Sequence, residues 1–508
     1  MTDEEIARLL TAALARHRAG AYREALADYG RVLAANPEHP DALNLAASAL
    51  RSSGDLAGAL GLARRAALAA PERADVHYNL GNALSAAGAL VEAAAAFEHT
   101  LDLDPTHAEA SANLGIVHAR RGDTVAAGTA YRRALAIDPD QRIAGINLAN
   151  LLGDTGRTWE ATDLAREMVR RHPGLAEAHY DLSLLLFRRG DWATAAAEYE
   201  WRWKTAEFSS PVRHADLPDW DGRPFVGRLL VHAEQGLGDT IQFVRLLPLA
   251  ASLGMKISFE APTVLVALLA GVAGADVVGD KIEAKGHAAQ TPLLGLIHRL
   301  RLTLGSFPAK VPYLAADPKR VARWRERLAP DGTPLVGLGW RGNPHSPADR
   351  GRSLPSLAAL APLAAAGWRL IALQKLERNE IEAADVPTGW RVAGDHGFLV
   401  EHPGPTYDVG RDAFLDTAAV MTLVDRVVSV DTSLVHLAGA LGRPTSVLLK
   451  RVADWRWLEG RDDCPAYPTL RLHRQQQAGD YTAPIEAVAA LLAGAGAGAS
   501  PALVAVGR

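Results

Sequence analysis

GALVEAAAAFEHTLDLDPTHAEASANLGIVHARRG, residues 88–122, starts and ends on glycines 34 positions apart. Glycine recurs in the same phase at Gly20, Gly54, Gly156 and Gly190, and proline at Pro37, Pro71, Pro105, Pro139 and Pro173. Five residues after each glycine stands an alanine: Ala25, Ala59, Ala93, Ala127, Ala161 and Ala195. An aromatic follows four later at Tyr29, Phe97, Tyr131 and Tyr199, whereas Ala63 and Ala165 mark the second and fifth units as degenerate. The glycine ends a first helix in the left-handed region. The alanines let two helices approach closely. The proline stands past a second helix because it cannot continue one. One such pair cannot bury its apolar face alone, so the six units must stack.

From residue 6 to about 203 this pattern resembles the tetratricopeptide (TPR) repeat. The resemblance implies a right-handed superhelix with a concave groove for a protein or peptide partner. The other reading of the array is that it dimerises or braces the rest of the chain. Asp102 and Asp104, like Asp138 and Asp140, form an Asp-X-Asp pair of the kind that can hold a metal in nucleotide-sugar enzymes. Both pairs fall in the same repeat phase beside the proline, which favours a helix-to-helix turn.

The chain has 508 residues, enough for two to four domains at roughly 100–200 residues each. Apolar residues make up 48% and charged residues 22%, a globular balance, and the formal net charge of −4 gives no electrostatic case for nucleic acid. Cys464 is the single cysteine, so no intrachain disulfide forms and a cysteine metal site is not expected. The start, MTDEEIARLL, lacks the basic and apolar regions of a signal peptide, and no window is long and apolar enough to span a bilayer. A cytoplasmic protein without a transmembrane segment is expected; peripheral membrane association stays open.

Residues 204–226 read as a linker or docking segment, with Pro211, Pro218, Pro224 and Asp221-Gly222, and with Trp201, Trp203 and Trp220 as anchors. Beyond it, strand-length apolar runs alternate with helical patterns, the mark of parallel α/β layers. Two domains are expected, 227–330 and 331–492, then a low-complexity tail, 493–508. In the first, Leu229 to His232 read as a strand, Gln235 to Asp239 as a tight loop and Thr240 to Ser252 as a helix closed by Gly254. The glycine loop places backbone N–H groups and a helix start at one point, although it lacks the third glycine of the dinucleotide fingerprint. In the second, PLVGLGW (334–340) runs into Arg341-Gly342-Asn343-Pro344, then a loop with Arg350 and Arg352. RLIALQK (369–375) ends in Gln374 and Lys375, and DRVVSVDTSLVHLAGALGRP (425–444) gives a strand, Asp431-Thr432-Ser433 and a helix closed by Gly442. Ligands of open parallel sheets bind outside the carboxyl ends of the strands, where a pyrophosphate suits these groups.

GLGDTIQFVRLLP (236–248), WRGNP (340–344) with the following RGRS (350–353), LQK (373–375) and VDTSLVHLAGALG (430–442) together resemble bacterial TPR-containing glycosyltransferases. These are similar to the lipopolysaccharide heptosyltransferases of glycosyltransferase family nine, and distantly to the TPR-bearing O-GlcNAc transferases. The resemblance runs from about 227 to 490 and implies a GT-B fold, two Rossmann-like domains facing a cleft. It also implies a nucleotide-sugar donor held mainly by the C-terminal domain, with no metal and no cofactor. The N-terminal domain is short for a heptosyltransferase, so the acceptor is not carried over.

Asp239 is expected to be the general base of an inverting transfer, kept ionised by the helix start. Arg352 and Lys375 are expected on the donor phosphates. Thr432 and Ser433 would offer N–H groups and hydroxyls to the diphosphate, Asp431 would orient that loop or touch the donor sugar, and His436 lies one turn further along the same face. Gly236, Gly238, Asn343 and Gln374 complete the expected donor-binding set. Trp340 shapes its loop, and Trp455 and Trp457 in DWRWL read as core. Rival readings are a non-catalytic TPR scaffold with a degenerate GT-B domain, and a GT-B-fold nucleotide-sugar epimerase, which would have no use for a repeat array.

Overall fold

The computed structural model describes residues 1–206, 208–328, 332–344, 349–410 and 413–495. The low-complexity tail expected from Ala493 falls outside these residues beyond Ala495. Two compact units divide the chain, Met1–Asp181 and a second that starts at Leu182.

The first unit is helical. It contains α1 (Asp3–Arg18), α2 (Tyr22–Ala35), α3 (Pro40–Ser53), α4 (Leu56–Ala69), α5 (Ala74–Ala86), α6 (Leu90–Leu103), α7 (Ala108–Arg120), α8 (Thr124–Ile137), α9 (Arg142–Asp154), α10 (Thr158–Arg171) and the start of α11 (Ala176–Arg189). Consecutive helices pack as hairpins, and each hairpin packs on the next. All six phase glycines adopt φ between +79° and +93°, the left-handed conformation that ends each first helix. Each repeat proline directly follows the residue that caps a second helix, as at Asn36, Ala70, Asp104, Asp138 and His172. The phase alanines from Ala25 to Ala161 are fully buried, and so are Tyr29, Phe97 and Tyr131.

Large and small residues interlock along this core. A Cβ on Gly81 would lie 2.7 Å from the Phe97 ring, and one on Gly115 would collide with Tyr131. In the degenerate fifth unit the buried Met168 packs against Gly145. In the second, Ala63 clusters with Ala47 and Ala83, and Leu60, Leu62 and Leu80 pack around them. The aspartates build turns. Asp104 accepts hydrogen bonds from the Thr106 N–H at 3.0 Å and hydroxyl at 2.7 Å, and Asp138 accepts from the Asp140 N–H at 3.0 Å.

Most of α11 belongs to the second unit, with α12 (Trp192–Tyr199) and a 3-10 turn over Glu200–Lys204. The segment after it docks along a sheet edge. Trp220 is buried, its N–H donates to Gln290 O at 2.8 Å, and Gln290 N–H donates to Pro218 O at 2.9 Å. The first sheet has four parallel strands, β1 (Arg228–His232), β2 (Lys256–Glu260), β3 (Val277–Gly279) and β4 (Ala289–Pro292), in the order β3-β2-β1-β4. Helices α13 (Leu237–Phe243), α14 (Leu247–Ala251), α15 (Val266–Leu269) and α16 (Leu296–Arg299) connect it, and α17 (Pro318–Leu328) follows.

The second sheet contains β5 (Leu335–Gly339), β6 (Arg369–Ala372), β9 (Arg426–Val430), β10 (Thr445–Leu449) and β11 (Leu470–Arg474), all parallel in the order β11-β10-β9-β5-β6. β7 (Ile381–Ala383) and β8 (Trp390–Val392) form an antiparallel pair. Helices α18 (Ala361–Ala364), α19 (Leu415–Leu423), α20 (Ser433–Ala440) and α21 (Thr482–Ala495) complete the unit. The inner strands β1, β5, β9 and β10 are short, mostly apolar and buried, as parallel strands covered on both faces must be. The helix expected over 240–252 starts earlier, at Leu237, and breaks into α13, a 3-10 turn over Val244–Leu246 and α14. Pro248 has no N–H to donate to the carbonyl four residues back, so one continuous helix cannot form there. The strand expected over 369–375 stops at Ala372, and Gln374 and Lys375 lie in the loop beyond it.

Candidate functional site

Loops from both sheets meet where α13 packs against α20. From the first sheet, β1 leads through Glu234 and Gln235 to Gly236, which caps α13. The Gly236 N–H donates to Asp239 Oδ2 at 3.0 Å. From the second sheet, β9 leads through Asp431 to Thr432, which caps α20 and accepts from the Leu434 N–H at 3.3 Å. A Cβ on Gly238 would lie 2.7 Å from His436 Cδ2, so this glycine lets the two helices close on each other.

Five charged side chains are gathered here. Arg456 donates from Nη2 to Asp239 Oδ1 and from Nη1 to Asp454 Oδ1, the second at 2.7 Å. Arg352 Nη2 lies 3.5 Å from Asp431 Oδ2. Burial raises the pKa of Asp239 above the ordinary carboxylate value, against the pull of Arg456 and the Gly236 N–H. Beside the helix start, Arg456 supplies the main charge that opposes this rise at Asp239. Burial likewise raises Asp431, with Arg352 opposing. At Asp454 burial acts in the same direction but Arg456 overrides it, and the carboxyl lies below its usual value. His436 is pushed down to about 3 by burial and by Arg456. Its ring stacks on Trp457 with centroids 5.2 Å apart, and its Nδ1 lies 3.3 Å from the Tyr467 hydroxyl.

Asp239, Gly236, Gly238, Asp431, Thr432, Ser433 and His436 thus come together, and Arg352 joins them through Asp431. Gln374 does a different job: its Oε1 accepts from the N–H groups of Trp340 at 3.3 Å and Arg341 at 3.2 Å, bracing the loop after β5. Asn343 and Lys375 are exposed on the loops after β5 and β6. Lys375 makes no ion pair among the described residues. Trp455 and Trp457 are buried, as expected. The charged residues beside them, Asp454 and Arg456, were missed by the sequence reading. Their signal was a guanidinium and a carboxylate inside the apolar run DWRWL, which are buried only when paired.

The group carries three carboxylates against two guanidiniums. An incoming diphosphate therefore meets cations that are already engaged, and accommodating it requires a carboxyl to take up a proton or a guanidinium to change partner. The upward shift of Asp431 favours the first route at that carboxyl.

Comparison with known proteins bears first on the repeats. The tetratricopeptide repeat pattern matches residues 10–74, 47–108, 78–142 and 146–205, so the N-terminal part of the chain carries TPR repeats, a type of repeat that binds protein partners. A curated relative, Protein FlbA of Caulobacter vibrioides, is 28% identical over 356 residues. The match takes in 64% of this chain, more than the repeat array holds, and the chain spans 57% of that relative's length. Among solved structures, PilW, described as a widely conserved type IV pilus biogenesis factor, is 23% identical. That match covers 40% of this chain and 93% of PilW, with a TM-score of 0.36. MamA is 20% identical, with 32% and 94% covered and a TM-score of 0.30. Among the described residues no helix is long and apolar enough to cross a membrane.

Proposed function

We propose that the second unit is an inverting GT-B glycosyltransferase that works without a metal, and that the repeat array recognises its acceptor or a partner. It would move a sugar from a nucleotide-diphosphate donor to a protein, glycan or lipid-carrier acceptor in the cytoplasm. The observation that supports this reading is the meeting of strand-end loops from two parallel sheets around buried Asp239, Arg456, Asp431 and Arg352. Carboxyl-end crevices of parallel sheets are where such folds bind nucleotides.

In this mechanism Asp239 takes the proton of the acceptor hydroxyl as its oxygen attacks the anomeric carbon. The bond from that carbon to the diphosphate oxygen breaks on the opposite face. Arg352, Lys375 and the N–H groups at the start of α20 take up the charge that develops on the leaving diphosphate. Arg456 holds Asp239 in place inside the protein until the acceptor hydroxyl replaces one of its contacts.

A non-catalytic scaffold is the second reading, and one observation favours it. Both oxygens of Asp239 are already engaged, by Arg456 and by the Gly236 N–H, as they would be in a purely structural lock. Thermal unfolding in the presence of UDP-, GDP-, ADP- and CMP-sugars separates the two. A transferase is stabilised by at least one of them; no shift with any sinks the donor site.

A further inference from the structure

A cavity of about 400 Å³ opens at the carboxyl ends of β1 and β4, lined by residues that the charged cleft does not use. Its size falls in the range of small-molecule pockets, roughly 300–1,000 Å³. Trp201 and Trp203 supply aromatic surface and are only partly buried. The Trp203 ring meets Phe208 edge-on at 4.9 Å, and Lys204 Nζ stands 3.9 Å over the Trp201 ring.

The polar lining is fixed by its hydrogen bonds. Gln290 donates from Nε2 to Asp219, which turns its Oε1 toward His232 at 2.8 Å. An amide oxygen only accepts, so His232 carries its proton on Nε2 and is left with Nδ1 as a bare acceptor. Burial pushes His232 down to about 4, so the ring is neutral. His232 is 2% exposed, and its Nδ1 has no hydrogen-bond partner among the described residues. Leaving a buried acceptor unmet costs about 1–3 kcal/mol.

We propose that this cavity binds a saccharide ring, with indole surface against its C–H face and with His232, Gln290 and Thr291 receiving its hydroxyls. A purely apolar ligand would leave His232 Nδ1 unmet. A phosphate-bearing ligand would need several free cations, but Arg213 is paired with Glu260 at 3.0 Å and Arg299 with Glu200 at 2.9 Å, and the Lys204 ammonium sits over the Trp201 ring. Sugars combine an apolar face with a rim of hydroxyls, which suits partly exposed tryptophans beside planar polar side chains. The inference does not rest on transfer chemistry, since a bound sugar need not react.

Saturation-transfer NMR on the full chain tests it, with glucose, N-acetylglucosamine and glucuronate as probes and glycerol as the acyclic control. Transfer to the ring protons of at least one sugar is expected. Trp203→Ala and Gln290→Ala should each weaken that binding about tenfold, whereas Lys375→Ala should leave it unchanged. Trp201→Ala serves the same purpose if Trp203→Ala fails to fold. No transfer to any of the three sugars overturns the proposal, as does equal transfer to glycerol or binding that survives both tryptophan variants. Thermal unfolding with nucleotide sugars, compared with the Lys375→Ala variant, reads the charged cleft, so either site can fail without the other.

Discussion

Arg456 links the two sheets' loops through one side chain, holding Asp239 from the first and Asp454 beside the second. In the proposed transfer Asp239 depends on its charge for catalysis, and gripped this way it depends on its shape for packing. Asn keeps the shape and loses the charge. Asp239→Asn is therefore expected to abolish transfer while donor affinity changes by no more than a few-fold, read by product assay and titration; surviving activity would leave Asp239 only a helix cap. His436 gives a pH signature. Its pKa is about 3 in the folded protein against an ordinary value of 6.5. As pH falls below about 6.5 the unfolded chain takes a proton that the folded chain refuses, so stability drops until the pH nears 3. His436→Gln should remove about 2 kcal/mol of the stability lost between pH 7 and pH 5, seen as a flatter trend in urea midpoints. At this scale the sequence announced Asp239 through its place beside a glycine loop. It hid Arg456, because a charge inside a tryptophan run has no periodic signal and its partner lies 217 residues away.

In the repeats, element boundaries follow the sequence almost to the residue, because glycine φ and proline chemistry impose them independently of distant contacts. The α/β region was legible as strand, loop and helix, but lengths went astray where a local breaker overrode the pattern. Pro248 divided one expected helix, and β6 ended at Ala372 where its loop turned to brace Trp340 and Arg341 through Gln374. Interlocked helices make a sharp test. In the middle of α7, Gly115→Ala would gain about 0.5–1 kcal/mol from helix propensity alone. Its methyl group would meet the Tyr131 ring, and overpacking of that kind costs about 1–3 kcal/mol. The net expectation is a lower urea midpoint, restored when Tyr131→Leu is added. A rise in the single variant would show that the ring gives way freely.

Across the whole second unit, the helices before the first sheet are tied into it by side chains far apart in sequence. Arg202 donates to both oxygens of Glu234, from Nε at 3.0 Å and from Nη2 at 2.9 Å. Both side chains are almost completely buried. Burial pushes the Glu234 carboxyl up, and the two-pronged contact opposes it. Arg202→Met should cost about 3–5 kcal/mol, because it strands a buried carboxylate. Adding Glu234→Gln should return part of that loss in thermal unfolding; equal costs for the single and double variants would contradict the pairing. No sequence period reveals such a link, since it joins a helix end to a strand end. Nearby, Phe187 stacks on Trp455 at 4.4 Å, Trp192 meets Phe307 at 5.0 Å, and Gln235 binds the Tyr199 hydroxyl. The last repeat is thus a wall of the α/β body in all but its spacing. That bears on how the gene can change. Duplication or loss of whole 34-residue units upstream keeps the helical phase and leaves these contacts with the sheets untouched, so the array's reach can change without them. The sixth unit cannot be exchanged in that way, and selection on the sheets should hold Phe187, Trp192, Tyr199 and Arg202 fixed while the copies upstream diverge.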